Sequence, residues 1–62
     1  GLAIAYALLG VFYRDNQVDK PKSVEYFTQA KKLWVELTRD CPGFVEYQQN
    51  LAFVEKALGD DG

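Results

Sequence analysis

Few side chains in this sequence are equipped for chemistry. There is no histidine and a single cysteine, Cys41. Histidine is the commonest general base and metal ligand near neutral pH. A thiol needs a basic partner to act as a nucleophile. Neither a zinc cluster nor a Cys–His nucleophile can therefore be assembled from these residues. The glycines stand at positions 1, 10, 43, 59 and 62, too scattered for a phosphate-cradling loop. Carboxylates remain. Asp60-Asp61 reads as a polar tail before it reads as a metal site. Glu36 and Asp40 lie one helical turn apart with Lys32 nearby, and a surface charge network is expected there rather than an acid–base pair. Cys41, next to Pro42, is expected to be a buried structural thiol, with a redox role as the alternative. These residues imply no enzyme, no cofactor and no metal, so a function must be sought in binding.

Composition narrows the binding classes. The chain has 62 residues, enough for one small domain, and 48% of them are hydrophobic. That is a globular composition, not a disordered one. Nine acidic and seven basic residues are interleaved, for a net charge of −2. Phosphate binding depends on clustered positive charge, so no nucleic-acid partner is expected. One cysteine makes no internal disulfide, and a reducing, cytoplasmic setting is the default expectation. Residues 1–13 carry no charged side chain, yet a membrane span needs about 20 apolar residues. A buried helix is the expected reading and a truncated membrane helix the alternative. A start at Gly1 and the lack of any methionine suggest part of a longer chain.

Three periodic segments must position whatever surface binds. The spacing predicts helices over about 2–15, 21–40 and 43–58. In the first, Leu2, Ala5, Leu9 and Phe12 follow helical steps, with Tyr6 and Tyr13 beside them. That helix is apolar nearly all round, so it wants neighbours on more than one side, and two partner helices leave part of it uncovered. In the second, Val24, Phe27, Ala30, Trp34, Leu37 and Cys41 form an apolar stripe. Trp34 on that stripe is expected in the core, with a binding anchor as the alternative. Glu25, Gln29, Lys32, Glu36 and Arg39 form the opposite, solvated face. Asp19 is placed to cap this helix, and Pro21 is tolerated in its first turn. Cys41-Pro42-Gly43 breaks the chain. In the third, Phe44, Tyr47, Leu51, Val54 and Leu58 step by three and four, and Gly59 is placed as a C-cap. The tail Asp60-Asp61-Gly62 is expected to fray. Short connections make neighbouring helices antiparallel, giving an all-α helix-turn-helix plus one further helix.

An internal repeat is visible. Leu2-Ala3 followed by Leu9-Gly10 recurs as Leu51-Ala52 followed by Leu58-Gly59, at a period of 49 residues. The third segment reads as a second copy of the first. One full repeat (2–42) would then be followed by the first helix of the next (43–59).

The sequence resembles the tetratricopeptide repeat family. Tyr6, Leu9-Gly10 and Tyr13 stand where the family's first helix carries a bulky residue, Leu-Gly and Tyr. Ser23, Phe27 and Ala30 match the small–aromatic–small spacing of its second helix, with Ser23 in place of the usual alanine. Pro42 precedes the next repeat as the family's proline does. Small residues at 10, 23 and 30 would let helices approach, and Tyr6, Tyr13 and Phe27 would fill the space between. The second helix runs about two turns beyond the common repeat, which is similar to the long repeats of kinesin light chains. Closer still are the repeat arrays of large bacterial proteins, some of which also carry a serine/threonine kinase domain. Pro42, Phe44, Tyr47 and Leu51-Ala52 match their Pro-x-hydrophobic-x-x-Tyr-x-x-x-Leu-Ala run.

The resemblance implies a non-catalytic scaffold whose protein or peptide partner lies along the first helix of each repeat. The groove residues would be Ile4, Ala7, Val11 and Arg14, then Phe53, Lys56 and Asp60 from the second copy. The alternatives are that these positions pack on a neighbouring repeat, or that the chain is a structural subunit whose apolar first helix packs on other subunits or a membrane complex. Chaperone-binding family members hold a terminal carboxylate with Lys and Asn side chains. Here Ala7 and Val11 replace them in the first copy, and Asp60 replaces Asn in the second. Isothermal titration with a peptide ending Glu-Glu-Val-Asp should therefore give no heat of binding, and micromolar affinity would contradict the assignment.

Overall fold

The computed structural model describes residues 1–60, the side chain of Asp60 excepted. The expectation of a polar, fraying tail at Asp60-Asp61-Gly62 thus lies outside the described side chains. Among the described residues the chain forms three helices, α1 (Leu2–Asp15), α2 (Lys20–Asp40) and α3 (Val45–Asp60). The central helix α2 packs against both others, and α1 and α3 barely touch each other. Four-residue connections turn the chain back each time, so neighbours run antiparallel.

The start of α2 is set locally. The Asp19 carboxylate accepts from the Lys22 backbone N–H at 3.0 Å, meeting one of the donors a helix start leaves free. Pro21 sits in the first turn, where its missing N–H costs nothing. The end of α1 has no such match between residue and conformation. Asn16 closes the helix, its side-chain amide donating to the Phe12 carbonyl at 2.9 Å. Gln17 then takes a φ of 53°, the left-handed region where glycine is usual.

Two expectations for α3 are corrected. The helix begins at Val45, two residues later than position 43, because Pro42-Gly43 is spent on a turn. That turn is closed by the Phe44 N–H donating to the Cys41 carbonyl at 3.2 Å. Phe44 therefore precedes the helix, leaves the inward stripe and stacks on Tyr47 with ring centres 5.1 Å apart. Nor does Gly59 end the helix. No described glycine has positive φ, and α3 continues through Gly59 to Asp60. Glycine permits the left-handed cap without requiring it.

The core is a row of α2 residues, Ser23, Phe27, Ala30 and Trp34, all buried. Of the expected stripe, Val24, Leu37 and Cys41 are only partly buried, so Cys41 is not the fully buried thiol anticipated. It is the C-cap residue of α2, past the last helical turn that packs on the neighbouring helices. Ala3 and Gly10 come in from α1, and Val54 and Ala57 from α3. Tyr6, Ala7, Val11, Tyr47, Leu51 and Leu58 pack around them. The Tyr26 ring adds a seam between α1 and α2, with Tyr6 at 6.1 Å and Tyr13 at 5.5 Å. The solvated face at Glu25, Gln29, Lys32, Glu36 and Arg39 is exposed as expected. Asp40 pairs with Arg39 at 3.6 Å, and not with Lys32. The half-exposed Lys31–Glu55 pair, at 4.0 Å, links α2 to α3 and adds less than about 1 kcal/mol.

Gly10 lets α1 approach α2. A Cβ there would sit 2.8 Å from the Phe27 ring. The Ser23 hydroxyl, fully buried, donates to the Gly10 carbonyl at 2.9 Å. Two glycine substitutions should consequently have opposite signs in denaturant titration. Gly10→Ala should destabilise by about 1–3 kcal/mol, the overpacking cost exceeding the better helix propensity of alanine. Gln17→Gly should stabilise by about 0.5–1 kcal/mol, by relieving the left-handed strain.

Candidate functional site

Because α1 and α3 both lie on α2 and barely touch each other, a groove runs between them. Ile4, Ala7 and Leu8 form one wall, and Asn50 and Phe53 the other, with Trp34 and Val54 between. The cavity measures about 170 Å³. Small, largely apolar concavities with one or two polar groups suit short peptide side chains better than cofactors. Trp34 is 3% exposed and is a core residue, as expected, yet its edge also lines this groove. Its ring lies 5.6 Å from that of Tyr47. The indole N–H is buried with no hydrogen-bond partner among the described residues.

One end of the groove is cationic. Arg14, Phe53, Lys56 and Ala57 line a second hollow of about 190 Å³. The Arg14 guanidinium stands 5.6 Å above the Phe27 ring centre, and its Nε also pairs with Asp15 at 3.1 Å. A cation over an aromatic face gains about 0.5–1 kcal/mol at an accessible site. That contact fixes where the guanidinium points. Phe53 closes on Phe27 edge-to-face at 6.4 Å, so the groove wall is braced by the core.

The structure brings together most residues singled out from the sequence. Ile4, Ala7 and Phe53 line the apolar part, and Arg14, Phe53 and Lys56 the cationic end. Val11 is the exception. It is partly buried, packs against the core and lines neither hollow. The side chain of Asp60 lies outside the described residues. Leu8, Asn50 and Val54 line the groove without having been picked out as site residues. Leu8 was legible only as one apolar residue in an uncharged run, and Asn50 carried no signal at all. Trp34 was read as core, and it is both core and groove lining.

Other chemistry is thin. No group of three His, Cys, Asp or Glu is placed to hold a metal among the described residues. No helix there is long and apolar enough to cross a membrane. Trp34 is the only tryptophan, so its fluorescence reports directly on the groove. Its emission should lie at short wavelength in the folded chain and move to longer wavelength on unfolding. An iodide-quenchable, red emission from the native chain would contradict the placement of that side chain. No family model, curated protein or solved structure matches this chain.

Proposed function

We propose that this chain is a non-catalytic scaffold module of the tetratricopeptide kind, and that it holds a peptide segment of a partner protein between α1 and α3. One observation supports the reading above the rest. Ile4 and Phe53, which are equivalent under the 49-residue period, line the same groove from opposite helices, with Trp34 between them. A rigid apolar trough with a single amide, Asn50, and a cationic end suits an extended or helical peptide bearing apolar side chains. Preorganisation supports it as well. Phe53 is held by Phe27, and Arg14 lies over the same ring, so little ordering entropy is lost on binding.

A peptide library displayed on phage and selected on the whole chain tests this reading. Selected peptides should change Trp34 fluorescence on titration. Ile4→Arg or Phe53→Arg should weaken them at least about tenfold, equivalent to about 1.4 kcal/mol. Leu9→Gln, on the other side of α1, should leave affinity unchanged. Peptides indifferent to both groove substitutions would overturn the proposal.

A further inference from the structure

Past the cationic end of the groove, the α1–α2 turn borders a third hollow, of about 380 Å³. Tyr13, Arg14, Gln17 and Lys20 line it. Each of these side chains carries a hydrogen-bond donor, two are cations and none is acidic. Arg14 also lines the hollow beside Phe53 and Lys56, so the two hollows adjoin at its side chain.

Two of the donors are held in place. Tyr13 stacks on Tyr26 with ring centres 5.5 Å apart. Arg14 is fixed over Phe27, and only its Nε is used by Asp15. Among the described residues no hydrogen bond engages the Arg14 Nη groups, the Lys20 ammonium, the Gln17 amide or the Tyr13 hydroxyl. The nearby carboxylates are committed elsewhere. Asp15 pairs with Arg14 Nε, Asp19 accepts from the Lys22 N–H, and neither lines the hollow. Gln17 stands in the left-handed region at φ 53°, where glycine would be less strained. What glutamine supplies there and glycine cannot is an amide on the wall of the hollow.

We propose that this hollow binds a phosphate monoester, carried as a phosphorylated residue by the peptide in the groove. Donors from two helices and the turn between them suit a tetrahedral dianion with three acceptor oxygens. A planar carboxylate would be satisfied by the two parallel bonds of one guanidinium. Two cations balance one phosphate and are too few to follow a nucleic-acid backbone. The site stands apart from the groove reading, while the arrival of the phosphate on a groove-bound peptide rests on it.

Titration of the ¹⁵N-labelled chain with O-phosphoserine tests the site alone. Amide shifts should saturate with a Kd of about 1–10 mM and be confined to the segment around residues 13–22. Glutamate over the same range should give no saturation. Gln17→Gly should weaken phosphoserine at least about threefold while raising the thermal midpoint, so that loss of fold cannot explain the effect. Lys20→Glu should abolish binding and keep the fold, since an acidic residue suits the first turn of a helix. Ile4→Arg, at the apolar end of the groove, should leave phosphoserine binding unchanged. No saturation, equal binding of glutamate, or indifference to Gln17 and Lys20 would overturn the site.

Groove-selected peptides extended by phosphoserine at either terminus test its source. One of the two extensions should bind at least about tenfold tighter than its serine form. Lys20→Glu should cancel that gain and spare the serine form. Equal affinities for both pairs, with the phosphoserine site intact, would overturn the peptide as the source and leave a small free phosphate monoester as the ligand. Failure to select any groove peptide would remove the peptide as source together with the groove reading, and the phosphoserine titration would still decide the site.

Discussion

α1 and α2 meet where the Phe27 ring lies against the backbone of Gly10, and the rest of the fold depends on that approach. A helix–helix contact this close requires a residue with no Cβ on one side and a flat, fully buried ring on the other. The fully buried Ser23 hydroxyl needs a partner at this contact, and it donates to the Gly10 carbonyl that the bare helix backbone presents. One face of Phe27 is thereby committed to α1. Phe53 meets the ring edge-to-face from α3, and Arg14 lies over it, so a single side chain ties the three helices to one another.

The groove follows from this geometry. With α2 thick at Phe27 and Trp34, the two outer helices rest on it side by side and leave a trough between them. Small residues along the inner side of α1, Ala3, Ala7 and Gly10, keep it low on α2. Larger side chains, Ile4, Leu8 and Phe53, rise at the trough's edges. The apolar character of the groove is therefore a by-product of the same residues that build the core. Trp34 belongs to both.

The first helix, uncharged as far as Tyr13, has a similar logic. A lone three-helix unit of this size buries too little surface to satisfy every apolar side chain. α1 spends its small residues on α2 and leaves its leucines outside. In α3 the choice is reversed, with Leu51, Val54 and Leu58 inward and Ala52 and Gly59 outward. The reversal is geometric: one helix precedes α2 and the other follows it, so each presents its opposite side.

Periodicity, capping and breakers in the sequence by themselves determined three helices, the antiparallel order, and which side of α2 is wet. Those features are local, fixed by steps of three and four, by Asp19 before Pro21, and by the Cys41-Pro42-Gly43 break. Most of the groove residues were legible too, but through family resemblance and not through any chemistry of their own. Only the tertiary structure decided which face of α1 is buried, because a helix apolar all round carries no amphipathic signal. It also decided that Phe44 stays outside, that Val11 belongs to the core, and that Leu8, Asn50 and Trp34 line the groove. Those outcomes depend on where a second and a third helix come to rest, and that is set by the space Gly10 leaves for Phe27.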